Sequence, residues 1–263
     1  MQKKNLGVLL IVCAALATVV VVVVMLVRGT QESAETTSAP TPAAQPEQNA
    51  QTDQVEDAGS ITTDPLGRQV FVPSARGGDV LSSTADDGGT CQDIRRPEAL
   101  QIQRINAYPV LFSTDTGPTE VVNSTPSGYA EGPRGAVLAG INTYMLMMSG
   151  GTPSKEIARS HILAEQKVLD GLRDAPAGFN PPELRVLSTV AYRVRSCTDR
   201  AVVIEYAMPQ MGDESGVFPE PKWRVISTLV VKDEGRWKLS VSNDAFHDLG
   251  FTNDREGFTE WNL

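Results

Sequence analysis

Hydrophobic residues recur at helical spacing across the middle of the chain. The first pattern begins at Pro133, a residue suited to the first turn of a helix, and ends at Gly150. The second begins at Thr152 and ends before Pro176. The residues on the two helical faces are Val137, Leu138, Ile141, Tyr144, Met145 and Met148, and then Ile157, His161, Ile162, Val168, Leu169 and Leu172. The sequence therefore predicts two consecutive helices.

Beyond the second helix, the hydrophobic period changes from about 3.6 residues to 2, which is the period of a half-buried strand. Strands are predicted over residues 186–194, 202–208, 223–231 and 237–239, with a Gly- and Pro-containing loop at 210–221. The last two strands are joined by a short turn at Asp233-Glu234-Gly235, as in a hairpin. Helices followed by antiparallel hairpins predict an α+β fold, a cone-like domain over 131–263 in which helices pack on a curved antiparallel sheet.

The segments before the helices have weaker patterns. Residues 61–130 are rich in Gly, Asp and Pro with short apolar runs, and we expect extended strap segments lying on the domain. Residues 28–60 contain almost no large apolar side chain, so they cannot bury enough surface to offset the entropy of ordering. This stretch is predicted to be a disordered linker that reaches about 30 Å as a coil.

The first apolar run of the chain is also its longest. Residues 6–27 contain no charge, and about 20 such residues cross a bilayer as one helix. A cleaved signal peptide is the alternative, but its apolar region has typically about 7–15 residues. Lys3 and Lys4 precede the run and only Arg28 follows before the chain turns acidic. We expect a cell-membrane protein with a single span, a cytoplasmic tail at 1–5 and an extracellular domain.

Charge and cysteine content narrow the function classes. The net charge is −9, and the part after the apolar run has no Lys/Arg block, so nucleic-acid binding is not expected. Cys13 lies in the apolar run, which leaves Cys91 and Cys197 as an even pair in a compartment where disulfides persist. These two cysteines are either bridged or two separate thiols. No ligand pair accompanies them, so no metal site is predicted.

No catalytic motif is evident, and we expect no enzyme, no catalytic residues and no cofactor. A P-loop, a serine elbow and a metal-binding helix pair are all missing from the sequence. His161 lies on an apolar helical face and is predicted to be a core residue, and Asp244 with His247 is predicted to be a surface pair. The remaining groups considered for acid–base chemistry are Tyr144, Asp170, Tyr192 and Tyr206.

Two sequence features resemble known families. The final hairpin, which ends Gly-Arg-Trp-Lys-Leu at residues 235–239, looks like the nuclear-transport-factor-two-like cone fold. The stretch from Gly117 to Ala139 resembles an uncharacterised family of membrane-anchored actinobacterial proteins with a GP … GYA … P-x-GA-x-LA signature. This chain departs from that pattern at Ile102, where members often have Trp, and at Glu131-Gly132. The signature residues are Gly117, Pro118, Gly128, Tyr129, Pro133 and Gly135, together with Trp237 of the hairpin.

The resemblance implies a function without catalysis. Related exported cone domains on one N-terminal anchor are similar to the VirB-type assembly factors of type IV secretion and conjugation, which are scaffolds. We therefore expect protein–protein contacts with envelope proteins, secretion or conjugation subunits among them, through the open sheet face or the strap from Gly117 to Tyr129. Homo-oligomers are compatible with this expectation. The alternative is a surface-tethered cone domain that binds a small ligand or acts like an isomerase.

Overall fold

The computed structural model describes residues 59–75, 77–176, 186–213 and 216–263, all within one compact unit, Asp53–Leu263. The predicted tail at 1–5, the membrane helix at 6–27 and nearly all of the linker at 28–60 lie outside the described residues. Within the described ranges, no helix is long and apolar enough to cross a bilayer. The predicted α+β class is confirmed, with three helices packed against mixed sheets: α1 (Pro133–Met147), α2 (Gly151–Ser160) and α3 (Gln166–Asp174).

The strands form two main sheets and a small hairpin. The small sheet has the order β1-β2-β3-β4, and the large sheet has the order β13-β8-β9-β10-β11-β7, with β12 also paired to β10. Pairs β2–β3 and β7–β11 are parallel and the other strand pairs are antiparallel. The strands are β1 (Ser60–Thr63), β2 (Gln69–Val72), β3 (Gln101–Ile105), β4 (Tyr108–Phe112), β5 (Glu120–Val122), β6 (Thr125–Ser127), β7 (Ile162–Ala164), β8 (Ala191–Thr198), β9 (Ala201–Asp213), β10 (Gly216–Asp233), β11 (Arg236–Val241), β12 (Phe246–Thr252) and β13 (Thr259–Glu260).

Helix α1 lies between the two main sheets and forms the centre of the core. Nearly every residue from Pro133 to Leu146 is buried, as expected for a helix that is apolar on all sides. On the large-sheet side, the Tyr206 hydroxyl donates a 2.7 Å hydrogen bond to the Val137 carbonyl. On the small-sheet side, Asn142 bonds both backbone groups of Leu111 in β4. Helix α1 therefore joins the two sheets.

The second predicted helix is wrong in one respect, because the structure divides it. Helix α2 ends at Ser160, and Ile162–Ala164 form β7, which pairs in parallel with Leu239–Val241 of β11 before α3 begins. The Leu239 N–H also donates to the His161 carbonyl at 2.9 Å. Pairing with a distant strand thus replaces helical hydrogen bonds that the local periodicity favours.

The predicted loop at 210–221 is also wrong, because its described residues continue β9 and β10 as a two-stranded ribbon. Pairing extends from Trp223↔Pro209 and Lys222↔Gln210 to Gly216↔Asp213, with an irregularity between Val217 and Lys222. Strand β8 begins later than predicted, at Ala191, and the strands β12 and β13 were not predicted.

Residues 61–130 contain six strands and supply part of the core. All five residues of β4 are buried. The turns that join β3 to β4 and β5 to β6 consist of Asn106-Ala107 and Asn123-Ser124, all four with positive φ. Such residues suit the tight turns that match the twist of a hairpin, and Asn tolerates this backbone region better than most residues do.

Candidate functional site

The residues of the sequence signature meet at one junction, where the chain passes from β6 into α1. Gly117 has φ +94° and precedes Pro118 through a cis peptide bond. A Cβ on Gly117 would lie 2.6 Å from the Gly128 carbonyl oxygen, so only glycine allows this close approach. The Tyr129 hydroxyl accepts a 3.0 Å hydrogen bond from Asn142 of α1.

The Ala130 carbonyl is the centre of this junction. It accepts a 3.0 Å hydrogen bond from the Trp237 indole N–H, while the Ala130 N–H donates to the Thr116 carbonyl. Gly135, in the first turn of α1, packs directly against Ala130. The signature residues thus provide close backbone packing and hydrogen bonds that join β6, α1 and β11.

Replacing Gly135 with alanine is expected to destabilise the protein by about 2 kcal/mol, although alanine is the better helix former. The new Cβ would lie 2.7 Å from the Ala130 carbonyl carbon and closer still to its oxygen, and backbone on both sides cannot yield cheaply. Denaturant unfolding of the full chain in detergent measures the change.

Gly171→Ala is the matched control for this substitution. Gly171 lies in α3, and a Cβ there has no heavy atom within 4 Å. Helix propensity alone then predicts a stabilisation of about 0.5–1 kcal/mol. Changes of the same sign in both variants would contradict the packing described for Gly135.

A groove of about 790 Å³ opens beside the junction. Its walls come from the loop at 83–90, from residues 128–133 and from the turn at 198–199, and Thr119, Lys232 and Trp237 complete them. Lys232 is paired with Glu131 at 3.0 Å. The groove therefore presents hydroxyls, backbone groups and charged side chains, among them the paired Lys232 and Glu131.

A disulfide between Cys91 and Cys197 joins the loop on one side of the groove to β8 on the other. The loop that it holds also contacts the start of α1. The Gly132 N–H donates to the Asp87 carbonyl at 2.7 Å, and the Arg134 N–H donates to the Gly88 carbonyl at 3.1 Å. These carbonyls satisfy N–H groups that the first turn of a helix otherwise leaves without partners.

Arg134 is a buried cation in the same region. Its guanidinium pairs with Asp115 at 2.7 Å and with Asp86 of the loop. Burial raises the pKa of the Asp115 carboxyl, but hydrogen bonds from Ser113, from the Glu98 N–H and from Thr116, together with the Arg134 charge, outweigh it and hold the pKa below its usual value. Arg134 therefore acts as a structural bridge between the loop, the β4–β5 segment and α1.

The tyrosines considered for acid–base chemistry are core residues. Tyr192 is 1% exposed and its ring lies 4.5 Å from that of Trp261, while Tyr206 is fully buried beneath α1. Burial raises the pKa of Tyr192 to about 12 and raises that of Tyr206 as well, so both phenols hold their protons at neutral pH. Tyr144 stacks on Phe246 at 5.6 Å.

His161 lies at the end of a short polar chain. Its Nδ1 is 2.9 Å from the Ser160 hydroxyl, which donates a 2.9 Å hydrogen bond to Glu156. Glu156 also accepts from Asn123 and Arg159. A nucleophilic triad needs the histidine between the hydroxyl and the acid, whereas here the hydroxyl lies between the two. The arrangement suits a structural network that ties the β5–β6 hairpin to α2.

As pH falls below about 6.5, protonation of His161 is expected to lower protein stability. Burial lowers the pKa of His161 below its usual 6.5, with the hydrogen bond and charge of Glu156 opposing. The unfolded chain therefore binds this proton first, and stability is lost as pH falls from about 6.5 towards the folded pKa. His161→Gln is expected to flatten the stability profile between pH 5 and about 6.5 in denaturant titrations, since it removes the group responsible.

His247→Gln is the control, because the chain has only these two histidines. It is expected to keep the slope of the parent protein. If stability depended on pH as steeply in His161→Gln as in the parent protein, another group would be responsible for the slope. The carboxyls of Asp115, Glu156 and Asp248 also have lowered pKa values, but they lose their contribution at more acidic pH.

The other residues considered for acid–base chemistry, Asp170, Asp244 and His247, are exposed. His247 is exposed, and its Nε2 lies 3.2 Å from the Asp244 backbone oxygen. Asp170 pairs with Arg173 on the exposed side of α3. Across the described ranges, no group of three or more His, Cys, Asp or Glu side chains could hold a metal ion. Sequence reasoning did not single out Arg134 and Asn142 as interacting residues, although a charge and an amide inside an apolar helix were visible signals.

Comparison with known proteins identifies a family. Residues 72–260, well over half of the chain, match the profile of a family described as a domain of unknown function (DUF8175), and the chain belongs to that family. No curated protein and no solved structure matches the chain significantly.

Proposed function

We propose that this DUF8175 protein is a non-enzymatic, single-pass envelope protein whose exported domain makes protein–protein contacts. The observation that carries the proposal is that the residues considered for acid–base chemistry have structural roles. Tyr192, Tyr206 and His161 are all engaged inside the core rather than converging on a cavity. A general base has to reach a substrate proton directly or through one water, and these groups have packing partners instead.

The disulfide supports the exported location. Disulfides persist outside the cytoplasm and are rare in reducing compartments. Cys91 and Cys197 are bridged, so an extracytoplasmic domain is favoured. The uncharged run at 6–27 is the basis for the proposed membrane anchor, and Lys3 and Lys4 are the basis for a cytoplasmic N-terminus.

The finer fold and partner assignments are also part of the proposal. Helix α1 packed on the long antiparallel strands β8–β11 supports a cone-like domain, whereas the small sheet on the other side of α1 is an addition to that plan. The resemblance to assembly factors of secretion and conjugation machines supports envelope proteins, conjugation or secretion subunits among them, as partners.

Site-specific photo-crosslinking of the full chain in native membranes tests the contact function. Benzoylphenylalanine replaces Thr84 in the groove wall or Phe251 on β12, and Arg173 on the exposed side of α3 serves as the control. Adducts with envelope proteins from the first two positions, and none from Arg173, are expected. Efficient labelling that yields adducts at none of the positions would contradict the proposal.

The groove is the observation that favours a second candidate function, the binding of a small ligand. Its volume of about 790 Å³ lies within the range of small-ligand sites. A surface-tethered ligand-binding or isomerase-like domain would use Lys232, Glu131 and the nearby hydroxyls. Lys232→Met and Thr119→Val would then weaken the binding of a ligand found by screening. The crosslinks to envelope proteins would stay unchanged.

A further inference from the structure

The disulfide joins two walls of the groove. Thr90, next to Cys91, lines the groove on the loop side. Thr198, next to Cys197, lines it on the β8 side. A covalent bond therefore fixes the separation of the two walls at this point, with the cysteine Cα atoms 5.6 Å apart.

The two walls differ in how they are held. On the β8 side, the wall belongs to the β8–β9 ladder, which pairs as far as Thr198↔Ala201. On the loop side, the wall ends in a turn whose Asp93 N–H donates to the Thr90 carbonyl at 3.1 Å. Within the described ranges, the other polar contact of this turn is the ion pair of Asp93 with its neighbour Arg95. The disulfide is therefore the bond that ties the turn to β8.

The disulfide lies near the protein surface. Each cysteine is half-buried, and the residue on either side of each cysteine is exposed. These neighbours are Thr90, Gln92, Ser196 and Thr198. Thiol–disulfide exchange depends on access of the attacking thiolate to a sulfur, and exposed disulfides are the ones that exchange most readily. A dithiol in solution can therefore reach this bond.

We propose that the Cys91–Cys197 disulfide is a redox-sensitive latch of the groove, closed in the oxidised protein and opened by a dithiol reductant outside the cytoplasm. The inference rests on the proposed contact function and names its regulation. The oxidised groove has both walls in place and binds the partner protein. The reduced groove loses the loop-side wall and binds the partner weakly.

The reductant in this exchange is a dithiol, and it supplies everything the reaction needs. One of its thiolates attacks a sulfur of the bridge, and the other cysteine leaves as a thiolate that takes up a proton. The second thiol of the reductant then displaces the first cysteine and closes a disulfide within the reductant. Two electrons and two protons have passed to Cys91 and Cys197, and a disulfide of the same class reverses the reaction.

Reduction is expected to open the groove from the loop side. The turn at Thr90 loses its tie to β8, and the bonds from the Asp87 and Gly88 carbonyls to the first turn of α1 then open more often. The middle of α1 is held separately, by the Asn142 amide and the Tyr206 hydroxyl. The change is therefore local to the groove.

Hydrogen exchange of the full chain in detergent, oxidised and then reduced with dithiothreitol, tests this opening. The amides of residues 86–93 and of Gly132 are expected to lose their protection on reduction, whereas amides in the middle of α1 stay protected. Loss of protection throughout α1 would show that the bridge only keeps the domain folded. Unchanged exchange at 86–93 would show that it does not hold the wall. Either result would overturn the latch.

The reaction itself is measured on the folded protein by counting maleimide tags after treatment with dithiothreitol. Both cysteines are expected to become reactive without denaturant, because the bridge is accessible. A bridge that is reduced only after the domain is unfolded would overturn the proposal.

Crosslinking from Thr84 tests the control of partner binding in native membranes. A membrane-impermeant reductant is expected to lower the yield of adducts about fivefold or more, the usual size of coupling between two sites. Adducts from Phe251, which lies away from the groove, are expected to keep their yield. The double variant Cys91→Ser and Cys197→Ser is the control, since it should give the low yield with and without reductant.

The two proposals fail in different ways. If the yield from Thr84 does not respond to reduction, the latch is wrong and the contact function stands. If Phe251 captures envelope proteins and Thr84 captures none, contacts form on another surface and the latch is again wrong. If the oxidised protein gives adducts at neither position, the contact function is wrong, whatever hydrogen exchange shows for the loop.

Discussion

Replacing both Cys91 and Cys197 with serine is expected to lower the free energy of unfolding by about 4–5 kcal/mol, because the bridge closes a long loop in the unfolded chain. The two cysteines are 106 residues apart. The same bridge holds the loop whose Asp87 and Gly88 carbonyls bond the first turn of α1. Denaturant unfolding of the oxidised full chain and of the double variant measures the loss.

Asp86→Asn is the control for the loop contacts. It keeps the disulfide and removes only one of the two charges that face Arg134, since Asp115 remains, so a much smaller loss is expected. Hydrogen exchange separates the two effects, since only the double serine variant should speed exchange of the Gly132 and Arg134 amides strongly. Equal stability of the double variant and the parent would contradict the role given to the bridge.

Replacing Asn142 with leucine is expected to cost about 3–5 kcal/mol, although the side chains are similar in size. The Asn142 side chain is 1% exposed and accepts from the Leu111 N–H at 2.9 Å. It also donates to the Leu111 carbonyl at 2.7 Å and to the Tyr129 hydroxyl at 3.0 Å. Leucine would leave three buried polar groups unpaired, and chemical unfolding of the full chain measures the cost.

Asn262→Leu is the matched control. Asn262 is exposed and makes one side-chain hydrogen bond, from Arg96 at 2.8 Å. Substitutions at such positions usually change stability by less than about 0.5 kcal/mol. If Asn142→Leu were as well tolerated as Asn262→Leu, α1 would not hold the small sheet through this amide.

Local sequence pattern predicts α1 well because its residues are apolar or small on all sides. The sequence of α1 also indicates that the helix lies between two sheets, since Arg134 and Asn142 interrupt an apolar run and need buried partners. Their partners are Asp86 in the loop at 83–90 and Asp115 after β4 for Arg134, and Leu111 in β4 and Tyr129 for Asn142. Sequence reasoning alone could not find those partners because they are distant along the chain.

The errors occur where distant pairing overrides local preference. Residues 162–164 follow the helical period, yet β11 offers them a parallel strand partner. Pro209, Pro219 and Pro221 suggest a loop, yet they lie in the ribbon formed by the ends of β9 and β10. Among the described residues, pairing of β8 stops at Ala207 and pairing of β12 stops at Trp223. Beyond these points no described strand pairs with the second edge of either ribbon strand, and such an edge tolerates proline.

The signature residues illustrate what sequence can indicate about a site. Their types, mostly glycine, proline and aromatic residues, are suited to close packing and backbone bonding rather than to catalysis. The junction around Ala130 uses them in that way.

The central claim is that the domain works outside the cytoplasm. The most direct test is to determine on which side of the membrane the disulfide lies. The measurement uses intact cells that express the full chain with Cys13→Ser, so that Cys91 and Cys197 are the only cysteines. A membrane-impermeant maleimide is applied before and after an impermeant reductant, and the mass of the protein counts the tags. We predict no tag before reduction and two tags after it. Thiols that stay untagged in intact cells, yet react on lysis without reduction, would contradict the account.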